Sequence, residues 1–87
     1  MSSSIRVREV EPLNNLMLSV LFTNGVRKRY DVKQLLPEYN GMFMPLKDNP
    51  PLFKSVYVDC GGCGIAWNED IDISEWELWE NGETEKE

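Results

Sequence analysis

Apolar and polar side chains alternate along the first third of the chain, which is typical of β-strands. Residues 5–10, 16–23 and 26–30 each show this period of two. Because successive side chains of a strand point to opposite faces of a sheet, we expect three strands here. The Asn24-Gly25 pair between the last two runs predicts a hairpin with a type I′ turn, since both residues tolerate positive φ.

A second hairpin is predicted further along the chain. Residues 55–60 and 63–67 have the pattern of two strands, and Gly61-Gly62 lies between them. A Gly-Gly pair favours a tight two-residue loop. The segment between the two hairpins, around residues 38–44, shows no period and is expected to be irregular.

Short helices are predicted from their capping residues. They are expected near residues 32–36, 50–53 and 75–80. Asp31 is a suitable N-cap for the first, and Pro50 occupies a first-turn position of the second, where its missing N–H is not needed. Ser74 and Glu77 fit a capping box, in which the Ser74 hydroxyl accepts from the Glu77 amide and the Glu77 carboxylate accepts from the Ser74 amide.

Together these elements predict one small α+β domain, with an antiparallel sheet of four or five strands in two hairpins and short helices that include a C-terminal one. We expect the domain to span residues 5–80, with a disordered N-terminus at 1–4 and an acidic, frayed tail at 81–87. The predicted core is Val7, Leu18, Val20, Phe22, Tyr30, Leu35, Leu36, Phe43, Leu46, Phe53, Val56, Val58, Ile65, Trp67, Ile73 and Leu78.

Charge is unevenly distributed over the 87 residues, whose formal net charge is −6. Residues 68–87 hold nine of the fifteen acids and one of the nine bases, so the first 67 residues carry a net charge of +2. Acids near the start of the last predicted helix are favoured by the helix dipole. The overall charge therefore weakens a nucleic-acid-binding interpretation without excluding a local basic face.

The composition also excludes several kinds of catalytic site. The chain has no histidine, so it lacks a Ser-His-Asp triad, a His-activated cysteine and an HExxH zinc motif. No secretory signal is visible, and no apolar run approaches the roughly 18 residues that a membrane span needs. We therefore expect a noncatalytic, cytoplasmic protein with no cofactor and no membrane partner.

Cys60 and Cys63 are separated by two glycines, which is the spacing of half a zinc ribbon or of a thiol oxidoreductase motif. Zinc needs four ligands, and the chain has no second cysteine pair. A redox dithiol usually lies at a helix N-terminus, whereas these cysteines flank a predicted turn. We favour two ordinary turn cysteines; a cross-strand disulfide and metal or redox use stay open.

Trp76 and Trp79 on the last predicted helix form a first candidate site. At roughly 100° per residue they lie about 60° apart, and with Leu78 they make an apolar arc that is wide for a short helix. The favoured interpretation is that both tryptophans cover the open side of the sheet. The alternative is that they form, with Glu80, an aromatic anchor beside acids for a basic protein partner.

Four arginines form a second candidate site. Arg6, Arg8, Arg27 and Arg29 have period-two spacing on two predicted strands, which could place them on one solvent face. Such a face could contact phosphates. We favour a solvated face whose charges block strand addition, because the rest of the chain is acidic and no exposed aromatic residues are interleaved.

Three motifs follow one another in a distinctive order. They are Phe22-Thr23-Asn24-Gly25, the segment 31–36 with its Asp and paired leucines, and Ile65-Ala66-Trp67 followed by Ile71-Asp72-Ile73. In this order and spacing, over roughly residues 7–80, the chain resembles the bacterial domain of unknown function 2442 family. The resemblance implies a small α+β domain with an antiparallel sheet. Some members are thought to lie beside toxin-like genes, which implies an antitoxin-like or partner-binding role but no active site.

We therefore expect an interaction or regulatory module that binds a protein partner, with a basic one favoured, through Trp76, Trp79 and Glu80. The alternative from a different class is nucleic-acid binding through the four arginines, which the charge balance disfavours. Self-association stays open.

Overall fold

The computed structural model of the chain describes residues 5–85, and it confirms the α+β architecture. Seven strands lie within this part of the chain. They are β1 (Val7–Pro12), β2 (Met17–Phe22), β3 (Arg27–Asp31), β4 (Tyr57–Asp59), β5 (Gly64–Ala66), β6 (Asp72–Ser74) and β7 (Glu83–Thr84). They form two antiparallel sheets, in the orders β1-β2-β3-β7 and β4-β5-β6. The sheet that the sequence pattern predicted as one is thus divided into two.

The helices are short. They are α1 (Met44–Asp48), α2 (Pro50–Lys54) and α3 (Glu75–Asn81), with 3-10 turns at Asn14–Leu16, Val32–Leu35 and Tyr39–Gly41. The predicted N-cap Asp31 is confirmed, because its carboxylate accepts from the Lys33 amide at 2.9 Å, although the turn that follows is 3-10. Helix α1 was not predicted, and it begins at Met44, where the segment expected to be irregular ends. Among residues 5–85, no helix is long and apolar enough to cross a membrane.

The turn between β2 and β3 differs from the predicted type I′ turn. The Phe22 amide donates to the Val26 carbonyl at 2.9 Å, so the loop contains three residues rather than two. Gly25 has a φ of 89°, while Asn24 keeps a negative φ and accepts from the Val26 amide through its side chain. A type I turn closed by a left-handed glycine is the usual form of a three-residue hairpin loop.

The loop between β4 and β5 contains a disulfide. Cys60 and Cys63 are bonded to each other, with their Cα atoms 5.3 Å apart, so the favoured interpretation of two free turn cysteines is wrong. The Gly62 carbonyl accepts from the Val7 amide at 2.9 Å, which joins this loop to β1. A Cβ at Gly62 would lie 2.8 Å from the Val7 carbonyl oxygen, so this close approach requires glycine.

The two sheets and the helices enclose one hydrophobic cluster. Most of the predicted core is buried, whereas Leu36, Val56 and Val58 are partly buried and pack against its edge. Val32 and Ile71 are also buried, although the sequence did not predict them. Ile71 lies in the connection between β5 and β6, where its carbonyl accepts from the Trp67 amide at 3.0 Å.

The end of the chain belongs to the fold as far as Glu85. Strand β7 pairs with β3, opposing Glu83 to Arg29 and Thr84 to Lys28. Residues 81–85 are therefore not the frayed tail that the sequence suggested, because β3 offers them an unpaired edge. The remaining tail residues, 86–87, and the predicted disordered N-terminus, 1–4, lie outside the described residues.

Candidate partner-binding groove

Helix α3 is held by its N-cap and by contacts to the larger sheet, one of which is made by Glu77. The Ser74 hydroxyl accepts from the Glu77 amide at 3.1 Å, as the predicted capping box requires. The other half of that box is not formed, because the Glu77 carboxylate accepts from the Tyr30 hydroxyl at 2.7 Å instead. Glu77 thereby ties α3 to β3.

The Tyr30 phenol is a fixed donor in this contact. Its side chain is fully buried, and this burial, reinforced by the hydrogen bond and the negative charge of Glu77, raises the pKa of Tyr30 above its usual range. Tyr30 therefore stays protonated near neutral pH. Its hydrogen bond therefore orients the Glu77 carboxylate through Oε2.

The two tryptophans of α3 have different environments. Trp79 packs edge-to-face on Phe22, with ring centroids 5.0 Å apart, and Lys28 Nζ lies 4.1 Å from its ring centroid. Lys28 Nζ also donates to the Trp79 carbonyl at 2.6 Å. Trp76 is 65% exposed, and Glu80 is exposed as well. Of the three predicted partner-binding residues, the structure thus places Trp76 and Glu80 on the surface and Trp79 against the core.

A groove of about 360 Å³ lies beside Trp76. We call it the α3 groove; it is lined by Leu35, Tyr39, Met42, Phe43, Asp72, Ile73, Ser74, Trp76 and Glu77. Leu35, Phe43 and Ile73 are buried and form an apolar floor. Tyr39 and Met42 are 62% and 46% exposed. The lining thus combines exposed apolar side chains with carboxylates.

Sequence reasoning missed most of this groove. Tyr39 and Met42 come from the segment expected to be irregular, and Asp72 comes from a strand that was not predicted. Tyr39 and Asn40 have positive φ values of 58° and 56°. A bulky residue rarely adopts this conformation, and the resulting turn packs the Tyr39 ring on Phe43, with centroids 5.7 Å apart. Asn40-Gly41 is a local turn signal, and Gly41 also has a positive φ of 79°, but nothing local indicates the left-handed conformation of Tyr39.

The arginines do not form the single basic face that the sequence allowed. Residues directly opposite each other in an antiparallel sheet share a face. Register across the larger sheet therefore aligns Glu11, Ser19, Arg29 and Glu83 in one row. In the neighbouring row, Glu9 lies opposite Leu21, and Leu21 lies opposite Arg27. This outer face, defined by these two rows, carries acids as well as bases, because β1 and β7 contribute glutamates to it.

The outer-face arginines also have partners within the protein. Arg29 Nε and Glu85 Oε2 form an ion pair at 2.9 Å, and Arg27 Nη1 donates to Ser19 Oγ at 2.9 Å. Arg8 lies where the register between β1 and β2 shifts, and Arg6 precedes β1. Of the four predicted nucleic-acid-binding residues, Arg29 is thus paired with a carboxylate, Arg27 is bonded to a neutral hydroxyl, and Arg6 and Arg8 are exposed.

The groups that line the α3 groove are aromatic rings, a thioether, aliphatic side chains, a hydroxyl and carboxylates. Residues 5–85 contain no group of three or more Cys, Asp or Glu side chains placed to hold a metal ion. Aromatic faces, a thioether and carboxylates are groups that recognise apolar and cationic surfaces.

These features define the molecule as a small α+β domain of two antiparallel sheets with an acidic, aromatic groove at its C-terminal helix. The chain belongs to the family described as "Protein of unknown function (DUF2442)", whose family model matches residues 7–84. The match includes both sheets and α3, which confirms the resemblance seen in the sequence. Comparisons with curated proteins and with solved structures give no match.

Proposed function

We propose that this domain is a noncatalytic protein-interaction module that docks its partner at the α3 groove. The observation that carries the proposal is the exposure of Trp76 together with Tyr39 and Met42 along one groove. Aromatic residues and methionine are enriched at protein interfaces, and contiguous exposed apolar side chains mark such surfaces. Tryptophan is also one of the residue types that are enriched among interface hot spots.

The charge around the groove favours a basic partner. Asp72 and Glu77 line it, and Glu80 is exposed further along α3. Opposite charge on the partner would steer the encounter and fix its register. A cytoplasmic, regulatory role of the antitoxin kind, in which the domain covers part of a second protein, is the biological form we propose for this binding.

A point substitution tests this proposal better than a truncation, because removal of α3 would also remove Leu78 and Trp79 from the core. We would compare wild-type protein with Trp76→Ala and with Tyr57→Ala. Tyr57 is a matched control, since it is 46% exposed and lies on β4, outside the groove lining. Affinity capture from the native host, quantified against both variants, would identify candidate partners.

We expect at least one protein to be retained by wild type and Tyr57→Ala and lost with Trp76→Ala. Its affinity would then be measured by calorimetry with purified components, and the loss should be about tenfold to a hundredfold or more, as for a hot-spot residue. Identical capture by both variants would contradict the proposal. Thermal unfolding of each variant would establish that folding is unchanged.

A further inference from the structure

We infer that the α3 groove recognises an arginine side chain presented by the partner. The inference rests on the proposed function and specifies the group that the groove receives. It follows from three properties of the groove, namely its aromatic side chains, its oriented carboxylates and its size.

The exposed aromatic rings suit a guanidinium group. Trp76 and Tyr39 both line the groove and both offer more than half of their surface to solvent. Guanidinium is planar and weakly hydrated, so it stacks on such rings at a smaller desolvation cost than an ammonium group. The protein already contains one cation–aromatic contact, in which the Lys28 ammonium group lies over the Trp79 ring.

The carboxylates of the groove have no basic partner within the described residues. The two ion pairs of residues 5–85 are Arg29 with Glu85 and Lys33 with Asp31, and neither includes Asp72 or Glu77. None of the nine lining residues is basic. A cation from outside would therefore meet negative charge that the fold leaves uncompensated.

Glu77 is also oriented before any partner binds. Its Oε2 accepts from the buried Tyr30 hydroxyl at 2.7 Å, which leaves Oε1 to accept from an incoming donor. A carboxylate held in this way loses little side-chain entropy on binding. Asp72 and Glu77 both line the groove, and the several N–H donors of guanidinium suit binding to more than one carboxylate better than a single ammonium does.

The size of the groove fits one long side chain. Its volume of about 360 Å³ is at the small end of ordinary ligand pockets. The apolar floor of Leu35, Phe43 and Ile73 can cover the aliphatic stem of arginine while its head reaches the acids.

The test uses the three tryptophans of the chain as internal probes. In ¹⁵N-labelled full-length protein each indole N–H gives its own resonance, and we would titrate a capped Gly-Arg-Gly peptide against the same peptide with citrulline. Citrulline keeps the shape of arginine and removes its charge. Trp67 serves as the reference, because its buried Nε1 donates to the Phe53 carbonyl at 2.9 Å.

We expect the Trp76 indole to shift with arginine while Trp67 stays unchanged, with a dissociation constant on the order of 1 to 10 mM for a single anchor. Binding of the citrulline peptide should be about tenfold weaker, since a cation–aromatic contact and charge-assisted hydrogen bonds are lost. Asp72→Asn, at an exposed position, should weaken arginine binding several-fold, and Tyr57→Ala should not change it.

Equal binding of the arginine and citrulline peptides, or no Trp76 shift at a peptide concentration of about 10 mM, would overturn the inference. A Trp76 shift on dilution of the protein alone would overturn it in favour of a second copy of the chain. Each of these failures leaves the proposed function standing if the captured partner still depends on Trp76. If the partner binds Trp76→Ala normally, the proposed function itself fails.

Discussion

Charged side chains lie both on the outer face of the larger sheet and in the α3 groove, but their neighbours differ. On the outer face, cross-strand register opposes Glu83 to Arg29, Arg29 forms an ion pair with Glu85, and Arg27 donates to the Ser19 hydroxyl. In the groove, Asp72 and Glu77 lie among exposed aromatic residues with no base in the lining. The arginines of the outer face share it with acids, whereas the carboxylates of the groove have no base among the lining residues, so the groove is the better candidate for binding.

The prediction with the largest expected effect compares the two tryptophans of α3. Trp79→Ala should lower the free energy of unfolding by about 3 kcal/mol, because it removes the ring that packs on Phe22. Trp76→Ala should change it by no more than about 0.5 kcal/mol, because the side chain is 65% exposed. Urea denaturation followed by circular dichroism measures both values.

Similar losses from both tryptophan substitutions would contradict this division of roles. They would mean that Trp76 is part of the core in solution, and the groove would then lose its main exposed anchor. Trp67 provides a positive control, since it is buried and stacked on Phe53, and its replacement by alanine should be at least as damaging as that of Trp79.

The disulfide lies where the smaller sheet meets β1 and α3, so its removal should weaken both regions. The Gly62 carbonyl accepts from the Val7 amide, and the Cys63 carbonyl accepts from the Glu75 amide at 2.9 Å. Cross-linking so short a loop restricts the unfolded chain, and we expect Cys60→Ser with Cys63→Ser to cost about 2 kcal/mol. Denaturation with and without dithiothreitol measures this effect.

The serine double variant should be indifferent to the reductant, which makes it the control. If wild-type protein is equally stable in both conditions, the bond contributes nothing to folding. Because disulfides are rare in a reducing cytoplasm, a thiol titration of protein isolated from the native host would also test the proposed cytoplasmic location.

Tyr30→Phe tests the contact that orients Glu77 in the groove. Loss of the hydrogen bond to a carboxylate should cost about 1 to 2 kcal/mol at neutral pH. Burial first, and Glu77 second, raise the pKa of Tyr30 in the folded state above the value of about 10 expected for the unfolded chain. The folded state therefore holds this proton where the unfolded state releases it, so the stabilisation is complete below about pH 10 and declines as the pH rises further.

Urea denaturation at pH values from about 8 to 11 should show stability falling more steeply for wild type than for Tyr30→Phe. Parallel curves would indicate that Tyr30 ionises equally easily in both states, and the oriented carboxylate would lose its support. Glu77 would then resemble the surface acids of the outer face, because Tyr30 would no longer be a reason for its carboxylate to be oriented.

Some of these features could be predicted from the sequence because their causes are local. The alternation in β1 to β3, the Asp31 cap and the Ser74 cap depend on neighbouring residues alone, and all are present. The general location of a candidate site on α3 was visible for the same reason, since Trp76 lies on a predictable helix.

The remaining features depend on contacts between distant segments. Strands β6 and β7, of three and two residues, are too short to show a period and exist because β5 and β3 offer them edges. The groove joins residues 35–43 to residues 72–77, and no spacing within either segment indicates the other. Glu77 fits a capping box with Ser74, but its carboxylate instead accepts a hydrogen bond from Tyr30, which is distant in the sequence.

The smallest expected effect belongs to the outer face. Arg29→Gln removes the ion pair with Glu85, in which the arginine side chain is 58% exposed, so the loss should be about 0.3 kcal/mol and should diminish with added salt. Because glutamates accompany these arginines, wild type and Arg29→Gln should both leave the mobility of labelled DNA and RNA unchanged at low salt. If wild type binds nucleic acid, and the salt dependence of binding falls when Arg29 is replaced, then the arginines of the outer face are available to phosphates despite the acids beside them. The contrast between a compensated surface and an uncompensated groove would then no longer indicate where this protein binds.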